Sequence, residues 1–278
     1  MSDAKTDPRA GMTQACLESL HRLPNAPGLA VLRVRPADGG AVPAFTAGQH
    51  ATLAFESGGA VAVRYYSIAS APEQRVAFEF YVVRVEQKGA SSADLFDFEP
   101  GHPLWFGAPG GGFILARTDR EHLALVATGT GLAPYVSILR HLRAEAAAGR
   151  PVPAGVSLWH GVRHAADLGY HAEMTALQRE APFPFRYVPT VSRPAESPGF
   201  DAGTHSQGRV DRLLLQVLGV EAAGAHLAPS IDVAALMRLL PAGRTGVFLC
   251  GNPKMVQAFE ASARGSEWHE PLVYEKYW

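Results

Sequence analysis

The feature that most limits what this chain can fold into is a change of rhythm near Gly110-Gly111-Gly112. Before it, up to about Leu115, apolar residues come in short or alternating runs at 30–34, 51–55, 61–63, 76–85 and 103–106. Turn-forming clusters separate them, as at Asp38-Gly39-Gly40, Ser57-Gly58-Gly59 and Glu99-Pro100-Gly101. Short strands punctuated in this way predict a small antiparallel barrel or sandwich. Beyond Arg120, buried strands alternate with amphipathic helices. Residues 123–127 lead to a helix over about 135–147, 156–159 to one near 171–179, and 246–250 to one near 253–263. Residues 185–188 and 272–274 supply further strands. Such alternation predicts a parallel, doubly wound α/β sheet. The pattern thus divides the chain into an antiparallel barrel or sandwich over 12–115 and an α/β doubly wound unit over 116–278. The stretch 217–245, rich in Ala, Gly and Leu, matches neither rhythm.

Charge and cysteine content narrow the function classes. The chain has 25 Lys plus Arg against 26 Asp plus Glu, a formal net charge of −1. That balance argues against bulk nucleic-acid binding, while leaving room for a local basic rim facing an acidic partner. Only two cysteines occur, Cys16 and Cys250, which excludes a disulfide framework and fits a reducing compartment. It also excludes a four-thiolate iron–sulfur cluster carried on this chain. No apolar run reaches the ~18 residues of a spanning helix. Residues 1–10 are polar and lack an apolar signal core, so the expectation is a cytoplasmic protein with no membrane contact.

The sharpest local signal is Thr128-Gly129-Thr130-Gly131-Leu132-Ala133-Pro134, set between a buried strand and a helix. Glycines there let a backbone approach a ligand closely, and the helix N-terminus favours a phosphate. Pro134 suits the first helical turn and also leaves the dinucleotide fingerprint G-x-G-x-x-G/A unfinished. Cys250-Gly251-Asn252-Pro253-Lys254-Met255 is a second turn of this kind. In open parallel sheets, ligands collect at the carboxyl ends of strands, so both turns could face one crevice. In the first half, Arg64-Tyr65-Tyr66-Ser67 offers a pyrophosphate grip, rings for a planar cofactor and a hydroxyl for a ring nitrogen. Gly89-Ala90-Ser91-Ser92 offers a nest of amides and hydroxyls. Taken singly, each has a plain structural reading: a tight turn, a core cysteine, a barrel strand or a Ser/Gly loop.

Taken together, the segments resemble the ferredoxin–NADP reductase family in its bacterial form. Arg64-Tyr65-Tyr66-Ser67 is similar to its R-x-Y-S flavin motif, preceded by Phe45-Thr46-Ala47-Gly48-Gln49 for F-x-x-G-Q. Gly89 to Ser92 resembles G-x-x-S, Thr128 to Pro134 resembles T-G-T-G-x-x-P, and Cys250 to Met255 resembles C-G-N-P-x-M. Tyr274-Glu275-Lys276-Tyr277-Trp278 is similar to the terminal V-E-x-Y-W. The match runs in the family's order from about Phe45 to the last residue. Residues before Phe45 match loosely.

The resemblance implies two domains, an antiparallel β-barrel that binds FAD over 12–115 and an α/β doubly wound parallel-sheet domain that binds NADP over 116–278, with FAD as cofactor and NADPH/NADP+ as substrate. Arg64 would contact the FAD pyrophosphate, Tyr66 would stack on one face of the isoalloxazine, and Ser67 would bond near the hydride-accepting nitrogen. Tyr65, Tyr81, Ala90, Ser91, Ser92 and Thr130 fall within the flavin set, Tyr65 at a position where the family tolerates many residues. Tyr277 would cover the other flavin face and Trp278 the adenine end, excluding water until the tail moves. Ser67, Cys250 and Glu275 match the polar set around the reacting ring. Gly129, Gly131, Cys250 and Gly251 would line the nicotinamide crevice. Val162 and Arg163, with Arg193 and Arg209, match the positions that grip the 2′-phosphate of NADPH.

The function implied is hydride transfer between NADPH and FAD and single-electron transfer to a separate ferredoxin or flavodoxin, by a monomer. Arg33, Arg35, Arg84, Lys88, Arg117 and Arg120 are candidates for a basic docking rim. Alternatives are the reductase component of an oxygenase, a free-flavin reductase, or a catalytically silent nucleotide-binding module. His160, His164 and His171 lack a carboxylate or cysteine that would complete a ligand set, so no metal is expected.

Overall fold

Alternation of apolar and charged residues builds the first sheet. In β2 (Ala26–Pro36), Ala30, Leu32 and Val34 are buried while Arg33 and Arg35 turn outward, the period of two that a half-buried strand requires. The computed structural model describes residues 7–85, 92–221, 224–270 and 272–275. The remaining strands of this sheet are β1 (Thr13–Leu23), β3 (His50–Ser57), β4 (Ala60–Ser67), β5 (Phe78–Val83) and β6 (Pro103–Phe106). Their order is β4-β3-β6-β1-β2-β5, with antiparallel neighbours throughout. A bridge between Ile68 and Phe80 ties the end of β4 to β5 and curls the sheet towards a barrel. Phe55, Phe78, Phe80 and Phe106 fill its interior, Phe78 and Phe106 meeting edge to face at 5.1 Å.

The second sheet holds β7 (His122–Thr128), β8 (Gly155–Val162), β9 (Phe185–Val191), β10 (Ser206–Gln207), β11 (Thr245–Cys250) and β12 (Leu272–Tyr274). The order is β10-β9-β8-β7-β11-β12 and every pairing is parallel. Both faces are covered. Leu123, Leu125 and Ala127 of β7 pack in one layer with α1 (Ala133–Ala147) and α2 (His171–Glu180). Ala124 and Val126 pack in the other with α3 (Val210–Val217) and α5 (Pro253–Ala263). Burial on both sides explains why these strands read as continuous apolar runs. The short α4 (Val233–Met237) lies in the stretch that carried no clear pattern, capped by Asp232, whose Oδ1 accepts from Ala235 N at 2.9 Å.

Strand order reverses between β7 and β11, and in such a sheet the crevice for a ligand opens at the carboxyl ends of those two strands. The halves also share one apolar cluster: Ala47, Ala69, Tyr81 and Phe113 pack with Tyr135 and Ile138 of α1. The barrel is thus fixed beside the crevice.

Candidate active site

The two glycine turns sit side by side at this reversal. β7 ends at Thr128, a 3-10 turn follows over Gly129–Leu132, and α1 begins with Pro134 in its first turn. β11 ends at Cys250, and Asn252 caps α5 by accepting from Lys254 N at 2.9 Å. Thr128 Oγ1 accepts from Asn252 N at 2.7 Å, lacing one turn to the other. A side chain at Gly131 would bring Cβ to 2.4 Å from the Cys250 carbonyl oxygen, so glycine there permits the close packing of the turns.

Around these turns opens a cleft of about 760 Å³. Its lining includes Thr128, Gly129 and Thr130, then Val162 and Arg163 after β8, Arg193 after β9 and Arg209 before α3. The three arginines expected to grip phosphate thus face one space. Arg209 is held by Asp211 at 3.2 and 2.9 Å, Arg193 reaches Glu196 at 3.4 Å, and Arg163 has no acidic partner among the described residues. Gly131, Cys250 and Gly251 are not among the residues that line it. Gly28, Leu29, Val83 and Arg84 close the cleft from the barrel side, residues that sequence reasoning did not place there.

A second cavity of about 200 Å³ lies against the barrel, lined by Arg64, Tyr65 and Tyr66 of β4, Tyr81 of β5, Ser92 and Thr130. Val83 and Thr130 line both cavities, so the two adjoin along a shared wall. Burial raises the Tyr66 phenol to about 12 and pushes Tyr81 higher still, so both are neutral rings with hydroxyls at physiological pH. The Tyr81 hydroxyl donates to Asp167 O at 3.3 Å. Ser92 Oγ accepts from Val85 N at 3.0 Å and donates to Val83 O at 3.2 Å, pinning the edge of β5. A guanidinium, three aromatic rings and hydroxyls around a hollow that adjoins a nucleotide-sized cleft fit a flavin dinucleotide. Ala90, Ser91, Tyr277 and Trp278 lie outside the described residues.

Of the three polar candidates, Cys250 is buried, and burial together with the nearby Glu275 charge keeps its thiol protonated. Glu275, just past β12, has one carboxylate oxygen buried with no hydrogen-bond partner among the described residues. The other, Oε1, lies 3.3 Å from Nδ1 of His50. Ser67 ends β4 directly opposite His50 of β3. His50 was not singled out from the sequence; it follows Gln49 of the first motif, and only the strand register brings it to this place.

Beneath Gly129 the histidines weighed as metal ligands make other contacts. His160 Nε2 lies 3.3 Å from Gly129 O, and the Tyr187 hydroxyl lies 3.5 Å from His160 Nδ1 and 3.4 Å from His171 Nδ1. Burial depresses His160 to about 4. His164 caps a 3-10 turn through Asp167. Of the basic-rim candidates, Arg33 pairs with Glu18 at 2.6 Å and Arg84 with Asp97 at 3.6 Å.

Comparison with known proteins agrees with this geometry. Residues 30–114 match the family model for an oxidoreductase FAD-binding domain, and residues 125–261 that for an oxidoreductase NAD-binding domain. Ferredoxin–NADP reductase B of Sorangium cellulosum is 35% identical over 245 residues, 87% of this chain and 88% of that one. Flavodoxin/ferredoxin–NADP reductase of Shigella flexneri is 31% identical over 219 residues, 77% of this chain and 76% of that one. Among solved structures, a ferredoxin NADP+ reductase from Neisseria gonorrhoeae with bound FAD and NADP superposes with a TM-score of 0.70 at 22% identity, covering 95% of this chain and 98% of that one.

Proposed function

The chain belongs to the ferredoxin–NADP reductase family, and from that premise we propose that it moves hydride between NADPH and FAD and single electrons between FAD and a separate ferredoxin or flavodoxin. It is an FAD-dependent oxidoreductase that takes a nicotinamide nucleotide. The observation that carries the reading is the adjacency of the two cavities, which share Thr130 and Val83 as a wall, one lined by tyrosines and Arg64, the other by three arginines. Bound flavin supplies the step from two-electron to one-electron chemistry, and the protein supplies orientation and electrostatics.

Arg64 would neutralise the flavin pyrophosphate, with Tyr66 against the ring system and Tyr65, Tyr81 and Ser92 completing the pocket. Ser67, Cys250 and Glu275 would surround the reacting nicotinamide, Cys250 as a neutral thiol. Gly129 and Val162 would admit the dinucleotide backbone, with Gly131 and Gly251 shaping the floor. Arg163, Arg193 and Arg209 would hold the 2′-phosphate. Division of labour at 115/116, with a flavin domain before and a nucleotide domain after, belongs to the same reading. So do a monomeric state and a cytoplasmic setting. No helix among the described residues is long and apolar enough to cross a membrane.

The test begins with anaerobic addition of NADPH to the yellow holoprotein, expected to bleach the flavin band. Replacing both Arg163 and Arg193 by Ala should lower kcat/KM for NADPH by about 100-fold or more, the loss of two charge-assisted contacts, and leave NADH within about threefold. Equal specificity constants for NADH and NADPH in the wild type would refute the phosphate grip. If cytochrome reduction driven by NADPH gained nothing from added ferredoxin or flavodoxin at low salt, the carrier would be wrong.

A further inference from the structure

We infer that His50 is a positioning residue for Glu275, holding one carboxylate oxygen so that the other is presented to the reacting centre beside Cys250. The inference rests on the reading of Glu275 as part of that centre. His50 opens β3, where its backbone is pinned from two sides. It stands opposite Ser67 on β4, and on the other side its amide donates to Gly110 O at 3.0 Å while its carbonyl accepts from Gly110 N at 2.9 Å. Its ring meets Tyr65 edge to face at 5.3 Å. Both backbone and ring are therefore fixed before Glu275 is considered.

An ionised carboxylate only accepts hydrogen bonds, so the 3.3 Å contact requires the His50 proton on Nδ1. With Oε1 engaged there, Oε2 is left buried and unpartnered among the described residues, a condition that ordinary packing avoids. Tyr274 stands opposite Leu249 in the parallel pairing of β12 with β11, so Glu275 and Cys250, the next residue of each, lie side by side at the strand ends. Gly111 supplies an independent sign that the pairing is built in. A Cβ at that position would come 2.6 Å from His50 Nδ1 and 3.3 Å from Glu275 Oε1, so the chain leaves out a side chain where the two groups meet. Glu275 follows a three-residue strand, and a short strand alone fixes a side chain weakly; His50 adds the missing constraint.

The test uses two polar replacements in the holoenzyme. His50→Asn keeps a donor near the Nδ1 position, whereas His50→Gln moves it towards the Nε2 position. His50→Asn should stay within about threefold of wild-type kcat, and His50→Gln should fall about tenfold with KM for NADPH within about twofold, the cost of one hydrogen bond to a charged group. His50→Gln combined with Glu275→Gln should be no slower than Glu275→Gln alone. The flavin difference spectrum produced by saturating NADP+ should lose amplitude in His50→Gln and keep it in His50→Asn. Equal behaviour of the two His50 variants, or multiplied losses in the double variant, overturns the inference while a slow Glu275→Gln leaves the Glu275 reading standing. Wild-type kcat in Glu275→Gln removes that reading and this inference together.

Discussion

His160 lies enclosed beneath the glycine turn, with its Nε2 towards the Gly129 carbonyl and no exposed surface. Burial lowers its pKa from 6.5 to about 4, so the folded protein holds it neutral while the unfolded chain protonates it near 6.5. The unfolded state therefore binds more protons between those values, and stability falls as pH drops from about 6.5 towards 4. The stabilisation is fully present above that window and amounts to something on the order of 3 kcal/mol. His171 and His205, also lowered chiefly by burial, act in the same direction. Urea unfolding of the holoprotein at pH 7 and pH 5 should show this loss, with a shallower pH dependence in His160→Gln; parallel pH curves for both proteins would show that another group is responsible. At this scale the sequence was legible where meaning is contiguous. Arg64, Tyr65 and Tyr66 reach one pocket because neighbours in a motif share a strand end. His50 and Arg140 were not legible, because their partners Glu275 and Glu79 lie 225 and 61 positions away.

The strand–turn–helix unit is the element on which the site is built, and its two glycines have different duties. At Gly131 a Cβ would meet the Cys250 carbonyl oxygen at 2.4 Å and its carbon at 2.6 Å, backbone atoms that cannot rotate away. Gly129 has φ +53° and nothing within 4 Å of a Cβ, so alanine there pays only for the left-handed conformation. Gly131→Ala should cost about 3 kcal/mol, the upper part of the range for overpacking. Gly129→Ala should cost about 1 kcal/mol. Thermal unfolding measures both, and NADP+ affinity should fall more steeply for Gly131→Ala; equal midpoints would mean that the turns separate easily. The elements of the second sheet were legible because strands buried on both faces are continuous apolar runs between helical patterns. β1 escaped notice because a register shift between Leu17 and Ser19 breaks its alternation partway. The expected long strand over 76–85 is shorter, Phe78–Val83. α4 was missed because it is brief and lies in the stretch rich in Ala, Gly and Leu, whereas α3 is clearly amphipathic over Val210–Val217 and escaped notice only because it is eight residues long.

At the scale of the whole molecule, the site exists only while the barrel and the parallel sheet keep their relative placement, since both cavities draw lining residues from either side of that boundary. A polar clamp on α1 secures it. Arg140 donates to Glu79 Oε1 at 2.7 Å and to Ala69 O at 3.0 Å in the barrel half. Its other nitrogens donate to both carboxylate oxygens of Glu173 on α2 at 2.7 and 2.8 Å. Tyr170 donates to the same Glu79 oxygen at 2.9 Å, and one turn before Arg140 the Ser137 hydroxyl donates to Ser70 O at 2.7 Å. Glu79 is only 8% exposed, so removing Arg140 would leave a carboxylate without its main counter-charge in a place water scarcely reaches. That situation costs about 3–5 kcal/mol, far more than loss of a solvent-exposed pair. Arg140→Met keeps the bulk of the side chain while deleting the charge. It should lower the denaturant midpoint by a corresponding amount and raise KM for NADPH, because a loosened boundary spoils the shared wall of the two cavities. Adding Glu79→Gln should recover part of the lost stability, since a neutral amide tolerates that burial better than an unpaired charge. An unchanged midpoint in Arg140→Met would mean that the apolar cluster around Tyr135 and Phe113 holds the halves together unaided.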